Sequence, residues 1–179
     1  MHNSIDVMLD LETTGIAAGC GILSIGACTF SLENTFYQKI QYQSNCLLGL
    51  KDDYSTLAWW NKQDPAAREE AFSGTESILT ALGKFSDFLR SLDAPNDKIF
   101  IWGNGADFDL PILSAAYNHA SMKLPWAPFN GRCYRTLKNL YKDVKIKRSG
   151  MKHNALDDAK NQAVHAHEIL QIHFSSKQD

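Results

Sequence analysis

The feature that most constrains this chain is a succession of three strand-like segments at its start. They lie at Ile5–Leu11, Gly21–Phe30 and Phe36–Tyr42. In the first segment every second residue from Ile5 to Leu11 is apolar, which is the two-residue period of a strand. Because the connections between the three segments are short, they predict an antiparallel meander.

The pattern becomes helical after residue 56, and residues 43–56 are predicted to form a loop. One short apolar run, Lys98–Trp102 (KIFIW), interrupts the helical part and is typical of a buried central strand. One or two short helices are predicted over Trp59, Trp60 and Asp64–Phe72, with Asp64 as an N-cap. Further helices are predicted at Thr75–Leu92, Asp107–His119, Arg132–Lys142 and Asn154–Phe174.

Three antiparallel strands followed by helices, one further strand and more helices predict an α/β fold. Its central sheet is mixed, with three antiparallel strands and then parallel strands, and helices flank it. This order fits a ribonuclease H-like arrangement. A length of 179 residues is typical of one domain, so residues 1–179 are predicted to form a single domain.

The composition excludes several classes of protein. With 44% hydrophobic and 21% charged residues, the chain is neither disordered nor fibrous nor a coiled coil. No apolar run is long enough to span a membrane, and the first residues do not resemble an export signal. The four cysteines (Cys20, Cys28, Cys46, Cys133) show no metal-ligand spacing and are expected to be reduced. A cytoplasmic protein without a membrane partner is therefore expected.

Two acids end the first predicted strand. Asp10 and Glu12 are two residues apart, so both carboxylates point to one face while Leu9 and Leu11 point to the core. Neighbouring carboxylates repel each other, and a divalent cation is the simplest partner that offsets this repulsion. The alternative is a pair of solvated acids at the end of a strand.

Two further acidic segments follow in the sequence. Asp109 lies where the Lys98–Trp102 strand gives way to a helix, at the kind of strand end where ligands of α/β sheets collect. Asp107, beside it, is interpreted as a helix N-cap. His153 precedes the last helix, just outside it and free to move, and Asp158 projects from the first turn of that helix.

Together these motifs resemble the histidine-containing branch (DEDDh) of the DEDD 3′–5′ exonuclease superfamily. The shared pattern is D-x-E-T-T-G at 10–15, N-x-x-x-F-D at 104–109 and H-x4-D at 153–158. The tract 56–63 (TLAWWNKQ) further resembles the small phage and bacterial exonucleases described as exonuclease VIII-like or exoribonuclease-like. Asp107 and Asp157 are extra acids beside the motif positions, so the choice between neighbours depends on spacing.

The resemblance implies a 3′–5′ exonuclease that hydrolyses single-stranded DNA or RNA from its 3′ end to nucleoside 5′-monophosphates. Asp10, Glu12, Asp109 and Asp158 would bind two divalent ions, Mg²⁺ or Mn²⁺, and His153 would be the general base. Related small exonucleases often dimerise, so a homodimer is a further expectation. The implied substrate-binding residues are Leu11, Thr13, Thr14, Gly15, Asn104, Phe108, Trp59, Trp60 and Arg135.

The segment from Arg132 to Lys152 is strongly basic although the chain as a whole has a net charge of −2. It holds eight basic residues and one acid, Asp143. Such a run is either a solvated face or a guide for the phosphates of a nucleic acid. Two other functions stay open from the sequence: an inactive module that binds nucleic acid or a protein partner on the same fold, and an endonuclease of the wider ribonuclease H-like group.

Overall fold

The computed structural model describes residues 4–175, so the predicted domain of residues 1–179 extends beyond them at both ends. The strands are β1 (Ile5–Thr13), β2 (Ile22–Thr29), β3 (Thr35–Lys39), β4 (Ile99–Gly103) and β5 (Gly131–Cys133). The helices are α1 (Tyr42–Leu47), α2 (Tyr54–Trp60), α3 (Pro65–Phe72), α4 (Ile78–Ser91), α5 (Asp109–His119), α6 (Tyr134–Leu140) and α7 (Ala155–Ser175).

The five strands form one mixed sheet in the order β3-β2-β1-β4-β5. The pairs β1–β2 and β2–β3 are antiparallel, whereas β1–β4 and β4–β5 are parallel. Helices flank the sheet, so the predicted α/β fold with an initial meander and later parallel strands is confirmed. β1 is the central strand, which places its carboxyl end between β2 and the end of β4.

The two faces of β1 pack against different helices. Val7, Leu9 and Leu11 belong to the main core, which also contains the apolar faces of α4 and α5. Met8 lies on the opposite face and packs against the alanines of α7, among them Ala159. Side chains alternate along a strand, so Asp10 and Glu12 also point toward α7, and they share the face opposite Leu9 and Leu11 that the sequence predicted.

α7 lies very close to the sheet because small residues line the contact. Ala155, Ala159 and Ala163 are completely buried. Gly26 of β2 is paired with Asp10, and a Cβ atom at Gly26 would lie 2.2 Å from the backbone carbon of Ala155. The first turn of α7 therefore rests directly on the β2 backbone, beside the acids of β1.

Several predicted boundaries were wrong. Residues 43–56 contain α1 and the start of α2 rather than a continuous loop. α1 has no apolar period, and Asn45 holds it in place by accepting from the Ile22 amide (2.9 Å) and donating to the Ile22 carbonyl (3.0 Å). The predicted helix from Arg132 to Lys142 begins instead as β5, a three-residue edge strand too short for a periodic signal, and becomes helical only at Tyr134.

The N-cap of α3 is the one that the sequence predicted. Asp64 caps α3 by accepting from the Ala66 amide, with Pro65 at the first helical position. All four cysteines are free, and Cys20 and Cys28 are buried. Among residues 4–175 no helix is both long and apolar enough to cross a bilayer.

Candidate active site

The carboxyl end of β1 carries Asp10 and Glu12 into a largely buried position. Only 7% of Glu12 is exposed. The indole Nε1 of Trp60, from α2, donates to the Thr13 carbonyl over 2.9 Å and so fixes the end of the strand. The two carboxylates are therefore held on a rigid strand instead of on a solvated loop.

Asp109 approaches the same place from the junction of β4 and α5. Its Oδ1 accepts from the Leu11 amide (3.2 Å) and its Oδ2 from the Asn104 amide (2.6 Å). These bonds tie the second motif to the backbone between Asp10 and Glu12. Asp109 is 1% exposed and lies behind the surface of the cleft, but each oxygen retains further lone pairs. Asp107 is exposed and does not cap α5, whose N-cap is Phe108, so the predicted capping role was wrong.

The start of α7 brings the third motif to the site. The Asn154 side chain caps the helix by accepting from the Leu156 and Asp157 amides (both 3.1 Å), and its Nδ2 donates to the Tyr37 hydroxyl (3.1 Å). His153, just before it, has a left-handed φ of 60°. Asp157 accepts from the Met151 amide at 2.8 Å, so this extra acid supports the preceding loop.

His153 is fastened in place, in contrast to the expected freedom of a residue before a helix. Its amide donates to Asp158 Oδ2 over 3.2 Å. Its ring packs edge-on against Trp59 and Trp60, with ring centroids 5.0 and 5.9 Å away. The ring Nε2 is buried and has no hydrogen-bond partner among residues 4–175, so it is available to a ligand in the cleft.

The three segments converge on a single cluster. Glu12, His153 and Asp158 each offer one ligand atom, and these atoms all lie within 4.8 Å of one another. Asp10 and Asp109 are close enough that their charges act on Glu12, Asp158 or each other. The structure thus brings together all five residues of the predicted catalytic set.

Burial strongly raises the pKa values of three of these acids, and mutual repulsion adds to the rise for Glu12 and Asp10. Burial, followed by the charges of Asp158 and Asp109, raises the pKa of Glu12 to about 8. Burial, followed by the charges of the other three acids, raises the pKa of Asp10 well above its ordinary value. Burial raises the pKa of Asp109 to about 6, although its backbone hydrogen bonds and Arg135 oppose the rise. Four carboxylates that repel one another fit a hard divalent cation, which takes oxygen ligands.

Two basic residues, Arg148 and Lys152, lie at the edge of this cluster and act on Asp158 and His153. Arg148 forms an ion pair with Asp158, with 2.9 Å between Nη1 and Oδ1. Burial, followed by the nearby charge of Lys152, lowers the pKa of His153. The His153 ring is therefore neutral near pH 7 and able to accept a proton.

The acids open into a cleft of about 680 Å³. Of the predicted substrate-binding residues, those on its surface are Leu11, Thr13, Gly15, Trp59, Trp60, Asn104 and Phe108. Trp59 is 41% exposed, whereas Trp60 is 1% exposed and serves mainly as a support. Thr14 is fully buried and its hydroxyl accepts from the Gly21 amide, so it does not line the cleft. Arg135 also lies outside the lining, but its charge acts on Asp109.

Two residues of the cleft that contact its acids were missed from the sequence. Gln162 donates from Nε2 to Asp10 Oδ1 over 2.7 Å, and Arg148 was noticed only as part of a basic run. Gln162 lies four residues after Asp158, so it shares that residue's face of α7. The available signal was a polar residue at helical spacing from a predicted ligand, among alanines that face the sheet.

A mixed sheet with four acids and a histidine at the end of its central strand defines the DEDDh class of 3′–5′ exonuclease domains. Comparison with known proteins agrees. The chain belongs to the 3′-5′ exoribonuclease Rv2179c-like domain family, whose model matches residues 5–170. The resemblance inferred from the sequence motifs is thereby confirmed.

An individual curated relative shares only limited sequence identity with this chain. An exodeoxyribonuclease of Enterobacteria phage T4 is 26% identical over 121 residues, which cover 60% of this chain and 53% of the phage protein. This chain thus spans about half the length of that curated relative.

Solved structures share the fold. The nuclease domain of 3′hExo, a DEDDh family member bound to rAMP, has a TM-score of 0.64 at 16% identity; the match covers 96% of this chain and 94% of that one. E. coli Exonuclease I in complex with a 5cy-dT13 oligonucleotide has a TM-score of 0.62 at 13% identity, over 97% of this chain and 44% of that one.

Proposed function

We propose that this chain hydrolyses single-stranded nucleic acid from the 3′ end to nucleoside 5′-monophosphates, using two divalent metal ions and a histidine general base. The observation that carries the proposal is the convergence of Glu12, His153 and Asp158 within 4.8 Å, in a cleft also reached by Asp10. Buried carboxylates with raised pKa values are typical of a functional site, because such an arrangement destabilises the fold.

The metal ions would be Mg²⁺ or Mn²⁺, held by Asp10, Glu12, Asp109 and Asp158. Bound there, such ions activate water and neutralise charge on the phosphate and the leaving oxygen. The protein supplies rigid placement: Glu12 and Asp10 lie on the central strand, and two backbone amides orient Asp109. Asp158 is held by the His153 amide, which leaves its Oδ1 to Arg148 or to a cation.

His153 is suited to remove a proton from the attacking water. His153 lines the cleft, its Nε2 has no partner in the described part of the chain, and its lowered pKa keeps the ring neutral near pH 7, so that one ring nitrogen can accept a proton. Trp59 and Trp60 hold the ring from its sides. A general base needs both this access and a pKa near or below the working pH.

The remaining surfaces of the cleft suit a nucleotide chain. Trp59 and Phe108 offer aromatic faces for the terminal bases. Lys138 donates to Asn104 Oδ1 over 3.2 Å. Burial, followed by the charges of Arg135 and Arg148, lowers the pKa of Lys138. Lys138, Arg135 and Arg148 therefore form one basic cluster beside the cleft. Such a cluster is suited to the phosphates that precede the 3′ end.

The test is digestion of 5′-labelled single-stranded DNA and RNA of equal sequence, with Mg²⁺, Mn²⁺ or EDTA. Both polymers are needed because the matching family is described as exoribonuclease-like and the phage relative as an exodeoxyribonuclease. We expect a ladder that shortens from the 3′ end only when a divalent ion is present. Light scattering on the same preparation tests the proposed homodimer.

Two variants make the assay specific. Asp10→Asn preserves the shape of the side chain and removes its charge, so we expect hydrolysis to be lost while circular dichroism is unchanged. Asp107→Asn is the matched control, because Asp107 is an exposed acid outside the cleft and should be dispensable. Intact strands in every lane from folded wild-type protein would instead support an inactive binding module.

A further inference from the structure

Gln162 occupies an unusual position for an amide side chain. It lies in the middle of α7, one turn after Asp158, and is only 4% exposed. Its Nε2 donates to Asp10 Oδ1 over 2.7 Å, a short bond to a residue 152 positions earlier in the chain. The positions around it on the buried face of the helix are mostly alanines, such as Ala159 and Ala163.

The other polar atom of this amide has no protein partner. Gln162 Oε1 is buried, and within residues 4–175 nothing donates a hydrogen bond to it, although Gln162 lines the cleft. A buried carbonyl oxygen without a partner destabilises a fold, because it has lost its hydrogen bonds to water. In the ionised form of Asp10 that binds a cation, turning the amide over would place Oε1 against a carboxylate oxygen, so the orientation with Nε2 on Asp10 is the one that fits a metal site.

The contact with Asp10 gives the Nε2 group of Gln162 a hydrogen-bond partner. The unpartnered Oε1 needs a hydrogen-bond donor in the cleft. A water molecule on a bound cation is a strong hydrogen-bond donor, because the ion withdraws electron density from it. Gln162 is next to a carboxylate that, under the proposed function, holds such a cation.

We propose that Gln162 is a positioning residue of the metal site. Its Nε2 fixes the Asp10 carboxylate for metal binding, and its Oε1 accepts a hydrogen bond from a water molecule coordinated by the cation. This inference rests on the proposed function, since it requires that Asp10 binds a divalent ion. Residues that orient metal ligands in this way typically change metal affinity or activity by about 10–100-fold when they are replaced.

A purely structural role makes a different prediction. If Gln162 served only to fill space between α7 and the sheet, an apolar side chain of similar size would replace it without loss. Gln162→Met keeps the volume and removes both polar atoms, whereas Gln162→Asn keeps the amide but withdraws it by one methylene. Gln171→Met is the matched control, because Gln171 is an exposed glutamine on the same helix.

The experiment is calorimetric titration of the metal-free 179-residue protein with Mn²⁺ alone, without nucleic acid. We expect Gln162→Met and Gln162→Asn each to weaken Mn²⁺ binding by roughly 10–100-fold, and the control to bind like wild type. The metal-free melting temperature of Gln162→Met serves to show that the variant folds, because the change removes both the unpartnered oxygen and the donor to Asp10, two effects of opposite sign. If one variant does not fold by circular dichroism, the other decides.

Wild-type Mn²⁺ affinity in folded Gln162→Met would overturn the inference, whatever Gln162→Asn does, because volume alone would then suffice. Digestion of labelled strands by the same preparations separates this result from failure of the proposed function. Wild-type protein that binds Mn²⁺ but cuts nothing overturns the proposed function and leaves the binding comparison valid. Wild-type protein that cuts, beside Gln162 variants that bind Mn²⁺ normally, overturns only the role of Gln162.

Discussion

Gly26→Ala is the most informative substitution outside the acidic cluster. Gly26 lies on β2 opposite Asp10, and the added methyl group would point toward α7. That carbon would lie 2.2 Å from the Ala155 carbonyl carbon, 2.3 Å from the Leu156 nitrogen and 2.4 Å from the Ala155 oxygen. All three atoms belong to backbone, so no side-chain rotation can relieve the clash.

The size of the effect follows from these distances. Ordinary contact begins at 3.4 Å, so the first turn of α7 must move away from the sheet by about 1.2 Å, the difference from 2.2 Å. His153 and Asp158 flank this turn and would move with it. A misplacement of about 1 Å lowers a rate by about a hundredfold. Overpacking also destabilises by about 1–3 kcal/mol, which lowers Tm by roughly 2–12 °C in a chain of this size.

The assay compares kcat and Tm of Gly26→Ala with those of Gly83→Ala. Gly83 lies within α4, and a Cβ atom there would meet nothing within 4 Å. Gly83→Ala should therefore leave kcat unchanged and stabilise the protein by roughly 0.5–1 kcal/mol, since alanine favours a helix interior. A Gly26→Ala protein with wild-type kcat and Tm would refute the reasoning that the β2 backbone sets the position of α7.

Three further predictions concern the site. The raised pKa values of Glu12 (about 8) and Asp109 (about 6) mean that the folded state holds protons that the unfolded state has lost. In EDTA, Tm should therefore fall as the pH rises from about 4 to 8, and saturating Mg²⁺ should flatten this slope; an equal slope with and without the ion would contradict a metal site. Asn154→Ala removes the cap of α7, so urea denaturation should show a loss of about 1 kcal/mol, and kcat should fall more than KM changes. Trp59→Ala should weaken binding of single strands in fluorescence anisotropy by roughly tenfold to a hundredfold, whereas Trp60→Ala should mainly lower stability, by about 3–5 kcal/mol.

The sequence predicted those parts of the fold that repeat with a regular period. The alternation from Ile5 to Leu11 correctly placed Asp10 and Glu12 on one face, and the apolar run at Lys98–Trp102 correctly indicated a central strand. The place of Asp109 could be predicted because ligands collect at strand ends in an α/β sheet, whereas the convergence of all three motifs was implied by the family resemblance.

The parts that the sequence did not predict depend on tertiary contacts. α1 has no amphipathic pattern and is held by the bonds of Asn45 to β2. β5 is three residues long, so no period can show in it. Asp109 accepts from the Leu11 amide, 98 positions away in the chain, and the contact between Gln162 and Asp10 joins residues at opposite ends of the chain.

The acidic cluster links function to stability in the opposite direction from a core residue. A core residue stabilises the fold, whereas the acids that would bind the metal destabilise it when they are ionised. Asp10, Glu12 and Asp109 are buried next to one another, and each raises the free energy of the folded state when it is ionised. The repulsion among these acids grows with pH. The elements that hold them, such as the amides around Asp109 and the helix that rests on Gly26, must therefore resist it. A divalent cation would convert that repulsion into attraction at the same atoms. If Asn154→Ala also lets the acids move apart, it should destabilise the metal-free protein less at high pH than at low pH. If it only removes the cap of α7, the loss of Tm should be the same at every pH and with or without a cation. The two cases distinguish residues that brace the acids from residues that merely cap a helix.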